Sequence, residues 1–182
     1  MLSDDIKEVL VSEEQIESMC KQLGKQLSDD YRNNTTPPLV VGLLKGCVPF
    51  MTSLIMHMDI HIEMDFMVAS SYHGTRSGDV QIKKDLSCSV KDRDIIIVED
   101  IVDTGKTLRT ISDILSIRGA KSIVIVTLLD KPERRITDIT PKYVGYRIPN
   151  EFAVGFGLDY NEKYRNLPFI GVLKEEVYKR GE

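Results

Sequence analysis

The chain has 182 residues, enough for one domain with a normal core, and its 42% hydrophobic and 29% charged residues are typical of a globular protein. A formal net charge of −4, without a basic stripe or tail, argues against nucleic acid as a partner. The chain shows no secretory leader pattern and no uncharged run of about 18 residues, so we expect a cytoplasmic protein that does not enter a membrane.

The regular structure is predicted to include an amphipathic helix near the amino terminus. Ser12, followed by Glu13-Glu14-Gln15, has the form of a capping box, in which serine and glutamine each satisfy a backbone N–H group of the other. The apolar positions that follow recur at helical spacing: Ile16, Met19, Cys20, Leu23 and Leu27. This helix therefore packs one face on the core and ends at the turn-rich residues 33–38.

Two strands and a second helix are predicted next. Residues 39–44 are apolar on both faces of a strand, and Pro49 can open a helix that runs to about Met58. Residues 60–68 alternate between apolar and other side chains, which predicts a strand with one buried face. The apolar residues of that face are Ile60, Ile62, Met64, Phe66 and Val68.

A strand-helix-strand unit occupies the middle of the chain. Residues 94–98 and 123–126 are apolar strands, and Leu108, Ile111, Ile114 and Leu115 mark the core face of a helix between them. The helix can serve as the crossover that joins two parallel strands, and the apolar character of the strands fits a parallel sheet covered on both faces. Shorter strands are predicted around Val144, Val154 and Ile170.

Three carboxylates stand within five positions after the strand at residues 94–98. Glu99, Asp100 and Asp103 directly precede Thr104-Gly105-Lys106-Thr107. Like charges so close repel one another unless cations or hydroxyl donors meet them. Ligands of open parallel sheets bind beyond the carboxyl ends of the strands, and a helix N-terminus offers free N–H groups to a phosphate. The pattern therefore predicts a binding site for a phosphate.

The type of phosphate ligand can be narrowed further. A P-loop for nucleoside triphosphates is excluded, because its first glycine would fall at Asp100. Carboxylates such as Glu99 and Asp100 suit a polyol, whose neighbouring hydroxyls donate to them and can share a divalent cation, so a ribose phosphate fits. Simpler interpretations stay open, since acidic residues are common at strand ends and Asp103 can be an ordinary helix N-cap.

The string from Glu99 to Thr107 resembles the signature of phosphoribosyltransferases that use phosphoribosyl pyrophosphate. Other segments resemble those of the type I purine salvage members in the same order, at residues 44–46, 71–72, 131–132 and 154–160. The resemblance implies an α/β fold with a central, mainly parallel twisted sheet flanked by helices, and a small hood formed by the terminal segments. It also implies a single phosphoribosyltransferase domain over residues 1–182.

The resemblance further implies transfer of the 5-phosphoribosyl group to N9 of a 6-oxopurine, which releases pyrophosphate and gives IMP or GMP. Asp103 matches the general base that takes or holds the proton at purine N7. Glu99 and Asp100 match the carboxylates that hold the ribose hydroxyls and the associated Mg²⁺. With Asp103, the residues that match the ribose and 5′-phosphate loop are Thr104, Gly105, Lys106 and Thr107.

Contacts to the leaving group are also implied by the resemblance. Lys45 and Gly46 match the pyrophosphate loop, in which glycine lets the chain approach the ligand closely and the preceding peptide is often cis. Arg165 matches the arginine that reaches the same pyrophosphate. Asp159 matches a ligand of a second Mg²⁺.

The purine contacts implied by the resemblance are Lys131, Phe152, Ala153 and Asp159. The Lys131 ammonium can donate to the 6-oxo group and the Phe152 ring can stack on the base, so adenine should be rejected. The family often has valine in place of Ala153 and tyrosine in place of Phe156. The preference among guanine, hypoxanthine and xanthine therefore stays open.

Residues 70–79 form a polar loop with two glycines, in which Ser71 and Tyr72 match a lid that closes over the substrates. Two other functions compete with this interpretation. One is a regulator that binds RNA or DNA, which would need a basic face; the other is a related transferase for xanthine, another purine or a pyrimidine. Because family members are usually dimers or tetramers, we expect a homodimer or a homotetramer.

Overall fold

The computed structural model describes residues 2–71 and 80–179. Its main feature is a six-stranded sheet with the order β4-β3-β2-β5-β6-β7. The strands are β2 (Leu39–Leu43), β3 (Glu63–Ser71), β4 (Val80–Lys84), β5 (Asp94–Val102), β6 (Ser122–Asp130) and β7 (Tyr143–Arg147). All neighbours pair in parallel except β3 and β4, which pair antiparallel at one edge.

Helices cover both faces of this sheet, as the apolar strands predict. They are α1 (Glu13–Tyr31), α2 (Cys47–Met56) and α3 (Lys106–Ile117). Val40 and Ile96 pack in one cluster with α1 and α2, whereas their neighbours Val41 and Ile97 pack in a second cluster with α3. Side chains of adjacent strand residues point to opposite faces, so strands buried on both sides need continuous apolar runs.

The predicted capping box is confirmed at the start of α1. Gln15 N donates to Ser12 Oγ at 3.3 Å, and Ser12 N donates to Gln15 Oε1 at 2.8 Å. Helix α1 then buries Ile16, Cys20 and Leu23 on one face. Among the described residues, no helix is long and apolar enough to cross a membrane.

Segments near both ends of the chain form a small separate sheet, as the predicted hood requires. It consists of β1 (Ile6–Val11), β8 (Ala153–Val154) and β9 (Ile170–Leu173), and β9 pairs antiparallel with both neighbours. The short helix α4 (Glu175–Tyr178) follows. Tyr164 Oη donates to Asp5 Oδ2 at 2.7 Å, which ties the amino-terminal segment to the hood. The fold class expected from the sequence is therefore confirmed.

Some element details differ from the sequence predictions. Helix α2 begins at Cys47 rather than at Pro49, and β5 extends to Val102 rather than ending at residue 98. Around β3 the predicted buried face is confirmed only in part: Ile62 and Phe66 pack against the core, but Met64 is 51% exposed, and Met67 on the opposite face is fully buried. The physical reason is that the Met67 side chain joins the cluster around α3, while α1 and α2 cover the Met64 face only in part.

Candidate active site

The acidic pair lies on the end of a strand and not in the turn that follows it. Glu99 and Asp100 are partly buried on β5, next to its fully buried apolar residues. Burial, and then repulsion by Asp100, raise the pKa of Glu99 well above its ordinary value. Burial also raises the pKa of Asp100 to about 6, against the opposing effects of a backbone hydrogen bond from Ile101 and the charge of Arg165. Ionised carboxylates here need a positive partner.

The start of α2 packs directly against this acidic pair. Gly46 is the N-cap residue of α2, and a Cβ atom at this position would collide with the Asp100 carboxylate. The preceding Leu44–Lys45 peptide bond is cis. The loop expected to hold pyrophosphate therefore contacts the strand end expected to hold ribose, and glycine is the residue that permits this close approach.

Residues 104–107 form the turn into α3, as predicted. Gly105 is the N-cap residue, with the left-handed φ of 82°, and no side chain caps the helix there. The first N–H groups of α3 therefore remain available to an anion. Glu99 and residues 101–108 line a cavity of about 110 Å³ at this turn. The interpretation of Asp103 as the helix N-cap is wrong, because Gly105 has that position.

The segment that follows β6 braces the turn. Ile136 N and Thr137 Oγ1 both donate to Thr104 O, at 3.2 and 3.3 Å. Arg135 Nε donates to Asp103 O at 3.0 Å, and its guanidinium also pairs with the buried Asp130. Arg135 thereby holds the backbone of the turn in place.

The side chain of Asp103 faces cations from this same segment. Asp103 Oδ1 lies 2.6 Å from Arg134 Nε, although no aligned hydrogen bond reaches this oxygen from the described residues. Lys131 is buried, and its Nζ donates to Glu151 O at 2.7 Å. Burial lowers the pKa of Lys131, while the charge of Asp103 acts in the opposite direction. An ammonium has three donors, so Lys131 retains donors for a ligand.

A cavity of about 750 Å³ brings the predicted purine residues together. Its lining includes Asp103 and the four predicted contacts Lys131, Phe152, Ala153 and Asp159. Phe152 is 38% exposed and stacks on Tyr178 of α4, with ring centroids 5.0 Å apart and an interplanar angle of 18°. Tyr160 meets Phe152 edge-on at 5.5 Å. The cavity thus combines an acid, a buried cation and an aromatic surface.

The predicted pyrophosphate residues converge from opposite ends of the chain. Lys45 Nζ lies 3.1 Å from Glu162 Oε2, and Arg165 Nη2 lies 3.3 Å from the same oxygen. Arg165 Nη2 also pairs with Asp159 Oδ1 at 2.8 Å. The buried Arg165 Nε has no hydrogen-bond partner among the described residues. Arg165 lies near the acidic strand end, since its charge lowers the pKa of Asp100.

The predicted metal ligands are only partly brought together. The charge of Asp159 acts on Asp100, yet within residues 2–71 and 80–179 no group of three or more His, Cys, Asp or Glu side chains could hold a metal ion. Mg²⁺ usually binds one or two carboxylates and completes its octahedron with water and substrate oxygens.

The predicted lid falls mostly outside the described residues. Ser71 is the last residue of β3 and pairs with Val80, the first residue of β4. Tyr72 lies outside the described part of the chain. The lid function of Ser71 and Tyr72 remains a prediction.

Sequence reasoning missed three residues that lie at the site. Arg134 contacts Asp103, Glu162 contacts Lys45 and Arg165, and Tyr178 stacks on Phe152. The charge of Glu162 was a usable signal, because an acid three positions before Arg165, an expected pyrophosphate cation, needs an explanation. Arg134 and Tyr178 have no comparable signal, since only folding brings them to the cavity.

Comparisons with known proteins identify the family of this chain. Residues 9–161 match the family model of the phosphoribosyl transferase domain. The hypoxanthine-guanine phosphoribosyltransferase of Streptococcus mutans is 56% identical over 182 residues, which cover 99% of this chain and 100% of that protein. The chain belongs to the phosphoribosyltransferase family, and within it to the hypoxanthine-guanine phosphoribosyltransferases.

Solved structures of relatives have the same fold. A hypoxanthine phosphoribosyltransferase from Staphylococcus aureus is 55% identical and superposes with a TM-score of 0.92, covering 96% of this chain and 95% of that one. A hypoxanthine-guanine phosphoribosyltransferase from Bacillus anthracis is 42% identical, with a TM-score of 0.86 and coverage of 93% and 99%. The likeness therefore extends over nearly the whole chain.

Proposed function

We propose that the protein transfers the 5-phosphoribosyl group of phosphoribosyl pyrophosphate to N9 of hypoxanthine or guanine, giving IMP or GMP and pyrophosphate in purine salvage. One observation carries this proposal: an acidic strand end, an uncapped helix N-terminus and a cavity with a buried lysine meet at one edge of the sheet. These are the parts that a ribose, its phosphate and a 6-oxopurine need.

The ribose 5-phosphate end of the substrate binds at the start of α3. Backbone N–H groups and hydroxyls of residues 104–107 surround the 5′-phosphate, and the positive end of the helix dipole favours its charge. Glu99 and Asp100 accept hydrogen bonds from the 2′- and 3′-hydroxyls. Gly105 keeps the turn compact, because a Cβ atom there would collide with Thr137 Oγ1.

The acidic residues fit a magnesium ion, which is part of the proposal. Glu99, Asp100 and Asp159 offer the hard oxygen ligands that Mg²⁺ prefers, and the raised pKa values of Glu99 and Asp100 identify charges that a cation would offset. When bound, Mg²⁺ would neutralise charge on the phosphoribosyl donor and make its pyrophosphate a better leaving group. Glu99, Asp100 and Asp159 would be the residues that hold it.

Base activation falls to Asp103 and Lys131. As purine N9 forms its bond to the anomeric carbon, the bond from that carbon to pyrophosphate breaks with inversion, and the proton at N7 passes to or is held by Asp103. Lys131 donates to the 6-oxo oxygen and thereby selects against a 6-amino group. Phe152 stacks on the base, while Ala153 and Asp159 complete its surroundings.

Charge compensation for the leaving group comes from Lys45 and Arg165. Positive charge grows on the ribose in the transition state while negative charge collects on the departing pyrophosphate. The two cations stabilise that negative charge, and Gly46 lets the backbone approach it. Ser71 and Tyr72 belong to the lid that limits hydrolysis of the activated ribose.

Location and assembly complete the proposal. A cytoplasmic location is also part of the proposal. A homodimer or a homotetramer is the expected assembly, as in its family. Light scattering after size-exclusion chromatography measures the mass directly, and a mass equal to the 20.6 kDa chain would contradict this part of the proposal.

A nucleotide-forming assay tests the activity. The purified protein is incubated with phosphoribosyl pyrophosphate, Mg²⁺ and one base at a time, and the nucleotides are separated by chromatography. Hypoxanthine and guanine should give IMP and GMP, whereas adenine should give no AMP. Product from xanthine or a pyrimidine alone would favour the related transferase instead, and no nucleotide from any base would contradict the proposal.

A further inference from the structure

One carboxylate oxygen bridges the two cations assigned to pyrophosphate. Glu162 Oε2 lies 3.1 Å from Lys45 Nζ and 3.3 Å from Arg165 Nη2. Lys45 and Glu162 are 117 positions apart in the chain, so this contact depends on the tertiary fold. An anionic oxygen of the protein thus lies between the two groups that should receive an anionic oxygen of the ligand.

The backbone around Glu162 holds its side chain in this place. Asn161 and Glu162 both have left-handed conformations, with φ values of 50° and 61°, which are uncommon for residues other than glycine. Glu162 N donates to Asp159 Oδ2 at 2.9 Å, and Tyr160 and Lys163 form a β-bridge across the turn. Such conformations persist where surrounding contacts enforce them, and they are frequent at functional sites.

We propose that Glu162 occupies the pyrophosphate subsite in the ligand-free enzyme and is displaced when pyrophosphate binds. This inference rests on the proposed function, because that function assigns Lys45 and Arg165 to pyrophosphate. Glu162 is then a positioning residue. It keeps the two cations together before the donor binds, and it competes with pyrophosphate when the product leaves.

The exposure of these side chains fits a displaceable partner. The side chains of Glu162 and Lys45 are 63% and 68% exposed. Ion pairs this exposed are weak, so a ligand with several negative charges can replace the single carboxylate. Arg165 remains held by its pair with Asp159 and by its hydrogen bond to Gly157 O at 2.7 Å, and thus stays in place during the exchange.

Two variants of Glu162 distinguish displacement of its carboxylate by pyrophosphate from a simple effect of its negative charge on pyrophosphate binding. Glu162→Gln keeps the size and removes the charge, whereas Glu162→Asp keeps the charge on a side chain one methylene shorter. Aspartate should be compatible with the backbone, since it enters left-handed conformations more readily than most residues, and glutamine has the same shape as the glutamate it replaces. Glu63→Gln is the matched control, because Glu63 is a comparably exposed acid that pairs with Arg93 at 2.7 Å.

The experiment measures pyrophosphate binding to each protein by calorimetry in the presence of Mg²⁺, together with nucleotide formation by the wild type. We expect both Glu162 variants to bind pyrophosphate about threefold to tenfold more tightly than the wild type and Glu63→Gln. If release limits turnover, the Glu162 variants should also show stronger product inhibition by pyrophosphate.

Each other outcome has a defined meaning. Unchanged or weaker pyrophosphate binding in Glu162→Gln overturns the inference. Tighter binding in Glu162→Gln together with wild-type binding in Glu162→Asp also overturns it, because the negative charge alone would then explain the difference in affinity. A wild type that forms nucleotide while the variants bind normally contradicts only the inference. A wild type that forms no nucleotide contradicts the proposed function itself.

Discussion

At the scale of single residues, acidic side chains of the site lie next to basic ones. Asp103 faces Arg134 at 2.6 Å, and its charge also acts on the buried Lys131. Lys131 is held by a hydrogen bond to Glu151 O and retains donors for a ligand. The acid and the ammonium line one cavity, where the proposed function has them meet N7 and O6 on the same edge of the purine.

Replacement of Asp103 tests the role of general base. An asparagine side chain would keep the shape of the aspartate but could not take the N7 proton, so we expect Asp103→Asn to lower kcat by about 100-fold to 10,000-fold. The Michaelis constant for phosphoribosyl pyrophosphate should change little. Steady-state assays with hypoxanthine measure both quantities.

Asp113→Asn is the control for this change, because Asp113 pairs with Arg109 on the exposed side of α3 at 3.0 Å. It should retain wild-type turnover. Full activity in Asp103→Asn would remove Asp103 from the proton transfer.

At the scale of elements, the site depends on the close approach of two strand-to-helix turns. The turn from β2 into α2 contacts the end of β5, since Gly46 lies against the Asp100 carboxylate. Parallel neighbours end at the same edge of a sheet, so β2 and β5 deliver their following turns to the same place. The turns that follow β2 and β5 therefore bring the expected pyrophosphate loop next to the acidic pair.

Gly46→Ala tests this close approach. Gly46 has φ and ψ of −59° and −33°, which alanine adopts readily, so any defect should come from the collision of the new methyl group with Asp100. We expect the Michaelis constant for phosphoribosyl pyrophosphate to rise at least about tenfold, the effect of a binding loss of about 1.4 kcal/mol. Initial-rate kinetics at varied donor concentration measure this change.

Val48→Ala is the control, because Val48 lies two residues further along and is 43% exposed. Its kinetic constants should match the wild type. An unchanged Michaelis constant in Gly46→Ala would show that the contact between the two turns is unimportant for donor binding.

At the scale of the whole molecule, hydrogen bonds of Asp94 hold the sheet together at the end of the strands opposite to the site. Asp94 begins β5 and accepts hydrogen bonds from Asn34 Nδ2 and Lys121 Nζ, both at 2.9 Å, and from Ser122 Oγ at 2.5 Å. These bonds join β5 and β6 to the loop that precedes β2. Burial acts to raise the pKa of Asp94, but the bonds from Ser122 and Lys121 lower it below its ordinary value.

The stabilising effect of Asp94 should depend on pH. A carboxylate whose pKa is lower in the folded state adds stability above its ordinary pKa, and this stability is lost as the pH falls through the lowered value. We expect Asp94→Asn to reduce the free energy of unfolding at pH 7 by about 1 to 3 kcal/mol. The difference from the wild type should shrink under acid conditions, and urea unfolding across a pH series measures it.

Asp59→Asn provides the control, because the Asp59 side chain is 91% exposed beside Arg32. Its effect should stay within about 1 kcal/mol at every pH. A constant difference between Asp94→Asn and the wild type down to strongly acid pH would contradict the lowered pKa.

Much of the site was predictable because its residues are neighbours in the sequence. Residues 99–107 contain the acidic pair, Asp103 and the helix start in one string, and strand and helix periodicity place that string at the edge of a sheet. The buried face of β3 could not be predicted in the same way. Met64 and Met67 are equally apolar, and only the coverage by neighbouring helices decides which of them is buried.

The sequence by itself determined the parallel sheet and the string that carries the expected chemistry, because propensity, periodicity and motif are local properties of a chain. The resemblance of that string implied the family and the hood. Only the tertiary structure decided that Arg134 contacts Asp103, that Tyr178 covers Phe152 and that Glu162 lies between Lys45 and Arg165. Such contacts join segments far apart in the chain, and their distances follow from how the layers pack, which no local pattern of residues specifies.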